Sequence, residues 1–280
     1  MAAPAWAKEP DVEIRHAVAR VAVVVEDRTD IAVEIEQGTS ALPALRVTRD
    51  GANVRIDGGL GRRGFLNRSD GIRNCNAGPA NQVTPGEGAT VEVRNVGRVN
   101  IADAPLIVIR TPRAVNVNAS GAVFGSVGRG ATSIDLGNGG CGYWNVANAG
   151  GPVSLSIGGS GDMRAGTSTA LDISIGGSGS VTAGATGELD VAIGGSGDIL
   201  VARVDGRTDV SIGGSGDVDI RGGTSPDLSI SIAGSGDVNF GGVAGDVDVS
   251  LVGGGDVNVA RATGSVSRSI MGGGDVRIGS

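Results

Sequence analysis

The sequence predicts an all-β protein, a parallel β-helix (solenoid) with coils of 18–20 residues and less regular strands capping its N-terminal end. Three observations carry this. The string Ile-Gly-Gly-Ser-Gly-Asp recurs, ending at Asp162, Asp198, Asp217 and, with Ala233 as its second residue, Asp237; a variant ends at Ser180 and looser forms end at Asp256 and Asp275. The steps between these seven positions are 18, 18, 19, 20, 19 and 19 residues, the signature of stacked units. Before each glycine cluster the residues alternate strictly, as in Leu171, Ile173 and Ile175 against Asp172 and Ser174, which is the period of a half-buried strand. No stretch of the repeats shows apolar residues at helical spacing.

Taken in chain order, residues 1–7 come first. Ala2-Ala3-Pro4-Ala5-Trp6-Ala7 before Lys8 resembles the end of a secretory signal peptide, with Ala5 and Ala7 at the small-residue cleavage positions. Residues 8–110 hold strand-like runs at 19–26, 31–36, 45–49, 53–57 and 105–110, read as irregular first coils of the same domain. Residues 58–90, rich in Gly, Asn, Arg and Pro, read as one long loop. Regular coils are expected over 111–280, where the runs from Val117 and Leu136 are degenerate copies of the repeat. Within each copy a second short alternation follows the glycines, as in Val218-Asp219-Ile220 and Val257-Asn258-Val259, so a unit reads as strand, glycine corner, strand, turn.

Energetics demand that the units stack. One coil offers about five inward aliphatics, each contributing roughly 1.5–3 kcal/mol when buried. Ordering its backbone costs about 1–2 kcal/mol per residue. An isolated coil is therefore unstable, and neighbours above and below must complete its burial and hydrogen bonds. Seven coils spaced by about 4.8 Å make a rod of at least about 30 Å.

Composition narrows the function classes. Fifty-two glycines and six aromatics in 280 residues suit a narrow rod, and 40% apolar content excludes disorder. A net charge of −7, with arginines scattered and Lys8 the single lysine, argues against a nucleic-acid partner. No apolar run reaches the length of a transmembrane segment. An even cysteine count in an exported chain favours a disulfide between Cys75 in the loop and Cys141 at a coil corner.

These residues resemble the putative auto-transporter adhesin, head GIN domain family, a group of exported bacterial proteins. The Gly-Ser-Gly-Asp-Val coils carry the resemblance, together with the opening runs Ala19–Val25 and Asp30–Ile35 and the run from Val47 to Ile56. It implies a right-handed β-helix at the cell envelope. With no aromatic-girdled barrel after Ser280, a periplasmic or secreted protein is expected rather than a self-exporting surface adhesin.

Candidate chemistry is sparse. Asp162, Asp198, Asp217, Asp237, Asp256 and Asp275 should stack near one corner, where a calcium ion would relieve their repulsion. Their spacing departs from the nine-residue calcium roll, and the competing role is to accept backbone hydrogen bonds in solvent. No cofactor is expected. Tyr143 and Trp144, the one pair of adjacent aromatics, are either a partner-binding patch or packing for an irregular coil. His16 is the only histidine, far in sequence from the repeats, and Arg203, Arg207, Arg221 and Arg261 fall at inconsistent offsets, so catalysis is not expected.

The expected function is a non-enzymatic, exported cell-envelope protein with a structural or adhesin-like role. A module binding an envelope glycan or another envelope protein through Tyr143 and Trp144 is the alternative, and a polysaccharide-degrading enzyme the third. The coil around 270–278 should leave open strand edges guarded by Arg268 and Arg277, giving a monomer or a weak end-to-end dimer.

Overall fold

A computed structural model describes residues 10–61, 71–79 and 82–280, so the signal-peptide-like segment 1–7 lies outside the described residues. The fold is all-β, a parallel β-solenoid of about nine turns with coils of roughly 19 residues. Each regular coil contributes one strand to each of two long parallel sheets. On the first face Ser133–Asn138, Val153–Ile157, Ala170–Ile175, Glu188–Ile193 and Thr208–Ile212 pair in sequence, in register. On the second face Tyr143–Val146, Asp162–Ala165, Val181–Thr186, Ile199–Asp205 and Val218–Ile220 do the same. A short third side continues through Val204 with Gly223 and Thr224 with Val243.

The inward columns make the core. Leu155, Ile173, Val191, Val210, Ile230 and Val249 lie one above another, as do Ile157, Ile175, Ile193, Ile212, Ile232 and Leu251, and all are buried. The strict alternation of the sequence is thus the inside and outside of one tube. At the C-terminal coil the inward columns reach Val266, Arg268 and Ile270, and all three are exposed.

Glycines build the corner for a steric reason. At the third position of the motif, occupied by Gly159, Gly177, Gly195, Gly214 and Gly234, a Cβ would overlap the carbonyl oxygen of the equivalent glycine one coil away. The fifth position repeats this at Gly179, Gly197, Gly216, Gly236 and Gly255. Left-handed φ is not the main requirement, because only Gly253 and Gly272 of the third-position column have positive φ. The second position is open: a Cβ on Gly158, Gly176, Gly194 or Gly213 meets nothing closer than 3.7 to 4.0 Å. That is why this position alone drifts to Ala233, Val252 and Met271 while its neighbours stay glycine.

The N-terminal strands do not simply cap the rod. Val12–Val25 forms a full coil inside the stack, paired on one side with Ala114–Val127 and on the other with Asn53–Asp57 and Leu106–Thr111. Those last two strands form one coil split by everything between them. The outer edge is then closed by antiparallel strands, Arg46–Asp50 on Asn53–Asp57 and Ala32–Glu36 on Leu106–Thr111. Antiparallel pairing breaks the parallel register and terminates the stack there.

The expected long loop at 58–90 is corrected too. The insertion carries a three-stranded antiparallel sheet of Ile72–Asn76, Thr90–Val93 and Gly97–Asn100. Its short runs, separated by glycines and prolines, lack the 19-residue period and therefore read as loop in the sequence. No helix of the described residues is long and apolar enough to cross a membrane.

Candidate functional site

The aspartate column is a ladder of hydrogen bonds. The amide of Ser180 donates to Asp162 Oδ1 at 2.9 Å, Asp217 to Asp198 at 3.1 Å, and Asp237 to Asp217 at 2.9 Å. Asp256 and Asp275 continue it with bonds to Asp237 and Asp256 of 2.7 and 2.9 Å. Each carboxylate thus receives the backbone of the next coil, and Ser180, lacking a carboxylate, interrupts the run. The carboxylates are spread one per coil rather than converging, and among the described residues no group of three or more His, Cys, Asp or Glu could hold a metal ion.

This geometry makes a prediction. Asp217→Ala should cost about 1 kcal/mol, while Asp217→Asn, which keeps the acceptor, should cost less than about half of that. Calcium should leave the melting temperature of the wild-type protein unchanged. A rise of several degrees with calcium would assign the ladder to a metal instead.

The irregular coil sits under the insertion. Cys75 and Cys141 form a disulfide with Cα atoms 6.4 Å apart, tying the insertion sheet to a coil corner. Asn145 Nδ2 donates to the carbonyl of Gln82 at 3.0 Å and to that of Val83 at 3.4 Å, fixing a second point. Between these ties lies a separate apolar cluster: Val18, Ala122, Phe124 and Tyr143 from the outer surface of the coils, against Val91, Val93, Val99 and Ile101.

Of the two readings of Tyr143 and Trp144, packing of an irregular coil is the one their burial fits. Trp144 is 0% exposed and points into the core, where Gly125 in the paired strand leaves room for the indole; a Cβ on Gly125 would overlap the ring. Tyr143 is 7% exposed beneath the insertion, with Arg164 beside its hydroxyl. Burial raises the phenol above its ordinary pKa, with the arginine acting the other way. Tyr143 breaks the repeat because it cements the insertion to the rod, while Trp144 fills the core of its own coil.

Two grooves mark the first face. One, of about 620 Å3, is lined by Glu13, Arg15, His16, Ser120 and Ser174 among others. His16 sits at a bulge between Ile14 and Ala17 with φ +48, and Gly61 packs against its ring. The second groove, of about 400 Å3, carries Asp172, Asp190 and Asp209 stacked on consecutive coils, with Asp135, Glu188 and Arg207 beside them. The strands of Glu13 and Ser174 are four spacings apart, about 19 Å. The histidine and the carboxylate column thus cannot serve one reacting atom.

Asp190 is the strained member of that column. Burial first, then the charges of Asp172 and Asp209, raise its pKa above the ordinary carboxylate value, while Arg207 opposes them. An acid whose pKa is raised on folding favours the folded state below its unfolded pKa, and that advantage is lost as pH climbs through the folded pKa. Asp190→Asn should therefore stabilise the protein at neutral pH and lose its advantage below the ordinary carboxylate range. Urea titrations at neutral and acid pH would check this, and equal differences at both would refute it.

Comparison with known families gives one match. Residues 204–280, the C-terminal coils, match the family described as "Putative auto-transporter adhesin, head GIN domain". No curated protein matches the chain.

Proposed function

We propose that this chain is a non-enzymatic, exported protein of the cell envelope, periplasmic or secreted, with a structural or adhesin-like role. The observation that carries the proposal is the family match over residues 204–280, which falls on coils of the solenoid. A structural role suits that fold, since the stack presents long, regular outer faces on a core closed by coil-to-coil pairing. The disulfide between Cys75 and Cys141 supports export, because such bridges persist outside the reducing cytoplasm. On the described residues the acidic column and His16 stand apart, which supports a role without catalysis.

The test is attachment. Cells lacking the gene are compared with complemented cells for adhesion to coated surfaces and for sensitivity to envelope stress. The adhesin-like or structural role predicts a defect in one of these that re-expression repairs. Hydrolysis or elimination of a polysaccharide by the purified protein would replace this reading with an enzymatic one.

A further inference from the structure

We propose that the second face of the rod carries a binding trough for an acidic polysaccharide, running along the rod axis from Val83 to Arg221. The proposal deepens the adhesin-like reading and rests on it only for the biological source of the ligand.

The trough is built by register. Asn145, Arg164, Thr182 and Leu200 project outward from successive coils in one column. Two residues further along each coil, Ala147, Gly166, Gly184 and Ala202 line the trough with nothing larger than a methyl group. The enclosed volume is about 750 Å3. Arg221 closes one end, since its amide bonds Val201 and places it one coil beyond Ala202. The insertion closes the other, where Asn145 holds Gln82 and Val83 and leaves the Val83 side chain 89% exposed. Four strand spacings give a length of about 19 Å.

Charge selects the ligand. Two guanidiniums line this trough, with Asp219 following Leu200 in the outward column at the Arg221 end, on a chain of net charge −7 whose first face carries the acidic column. Arg164 lies close enough to the buried Tyr143 hydroxyl for its charge to act on it. Arg221 keeps only a loose pair with Asp219 at 3.9 Å, with both side chains well exposed, so its charge is little neutralised. A guanidinium grips a carboxylate with two parallel hydrogen bonds, and the Thr182 hydroxyl adds a neutral donor, while Asn145 spends its amide on Gln82 and Val83. Arg164 and Thr182 stand one spacing of about 4.8 Å apart, Leu200 interrupts the row, and Arg221 resumes it two spacings beyond Thr182.

A peptide fits less well. The backbone of the trough is already used coil to coil, as in Gly166 to Val146 at 2.9 Å and Gly184 to Gly166 at 3.1 Å. An extended peptide would find no open ladder to join. No aromatic ring lines the trough for a neutral sugar to stack on, so recognition falls to charge.

Calorimetry with the full chain tests this, using oligogalacturonate as the acidic glycan, dextran as the neutral one and poly-glutamate as the acidic peptide. Expected is saturable binding of oligogalacturonate that weakens with salt, with dextran and poly-glutamate much weaker. Arg164→Gln and Arg221→Gln should each weaken binding by roughly tenfold, and Asp172→Asn on the other face should leave it unchanged. Arg221 touches no buried group, so its variant reports on binding even if Arg164→Gln disturbs Tyr143. Equal binding of poly-glutamate or dextran, no saturable binding of oligogalacturonate, or wild-type affinity in Arg221→Gln would overturn the proposal. Binding without an attachment or envelope defect would overturn the adhesin-like reading and leave the trough standing. A defect without binding would do the reverse.

Discussion

Gly195→Ala is expected to destabilise the protein by roughly 3 kcal/mol, whereas Gly194→Ala, one residue earlier, stays within about 0.5 kcal/mol. The two substitutions add the same methyl group to the same corner. At Gly195 it would overlap the carbonyl oxygen of Gly177 in the adjoining coil, backbone against backbone, with no flexible side chain to yield. At Gly194 the nearest atom is 4.0 Å away. Separating the coils to admit the methyl would stretch the bonds from Ser196 to Gly177 and from Gly194 to Ile175, now 3.0 and 2.8 Å. The chain already carries natural versions of the harmless change, since Val252 and Met271 occupy the open position and are 49% and 67% exposed. Denaturant unfolding of both variants reads the difference directly. Similar losses in the two would mean that glycine serves backbone freedom here rather than coil spacing.

Cys141→Ser is expected to cost about 2–4 kcal/mol, and the loss should be local. The bridge spans a sequence separation of 66 and joins an insertion that pairs with the rod through side chains rather than through a shared sheet. Without it, Asn145 and the apolar cluster around Phe124 and Tyr143 are left to hold the insertion down. Hydrogen exchange should accelerate in Ile72–Asn76 and Thr90–Val93 while Ala170–Ile175 and Glu188–Ile193 keep their protection, as expected of a solenoid whose units contact only their neighbours. Uniform loss of protection along the rod would show instead that the insertion nucleates the whole stack.

The regular coils were legible because their period is enforced at every level. Alternation placed Leu171, Ile173 and Ile175 inside, and the recurring glycines marked a corner where coils touch. The N-terminal order was not legible. Val12–Val25 joins the distant strand Ala114–Val127, and nothing local in its sequence says that it lies within the stack rather than at its end. The insertion sheet was hidden for a similar reason, its strands being short and without the period of the coils. The packing reading of Tyr143 and Trp144 has a signal in the sequence. Ala122-Val123-Phe124 and Tyr143-Trp144 break the alternation with consecutive apolar residues, which means that both surfaces of those strands are buried. The trough escaped sequence reading because its residues are scattered through Asn145, Arg164, Thr182 and Arg221 and meet only through register.

The envelope role rests on compartment, and compartment has a direct chemical readout. Cells expressing the native gene are fractionated, and free thiols are alkylated at lysis before the protein is reduced and weighed. An exported solenoid predicts the protein in the envelope or external fraction with Cys75 and Cys141 joined and protected from alkylation. Recovery in the cytoplasm with both thiols alkylated would contradict it.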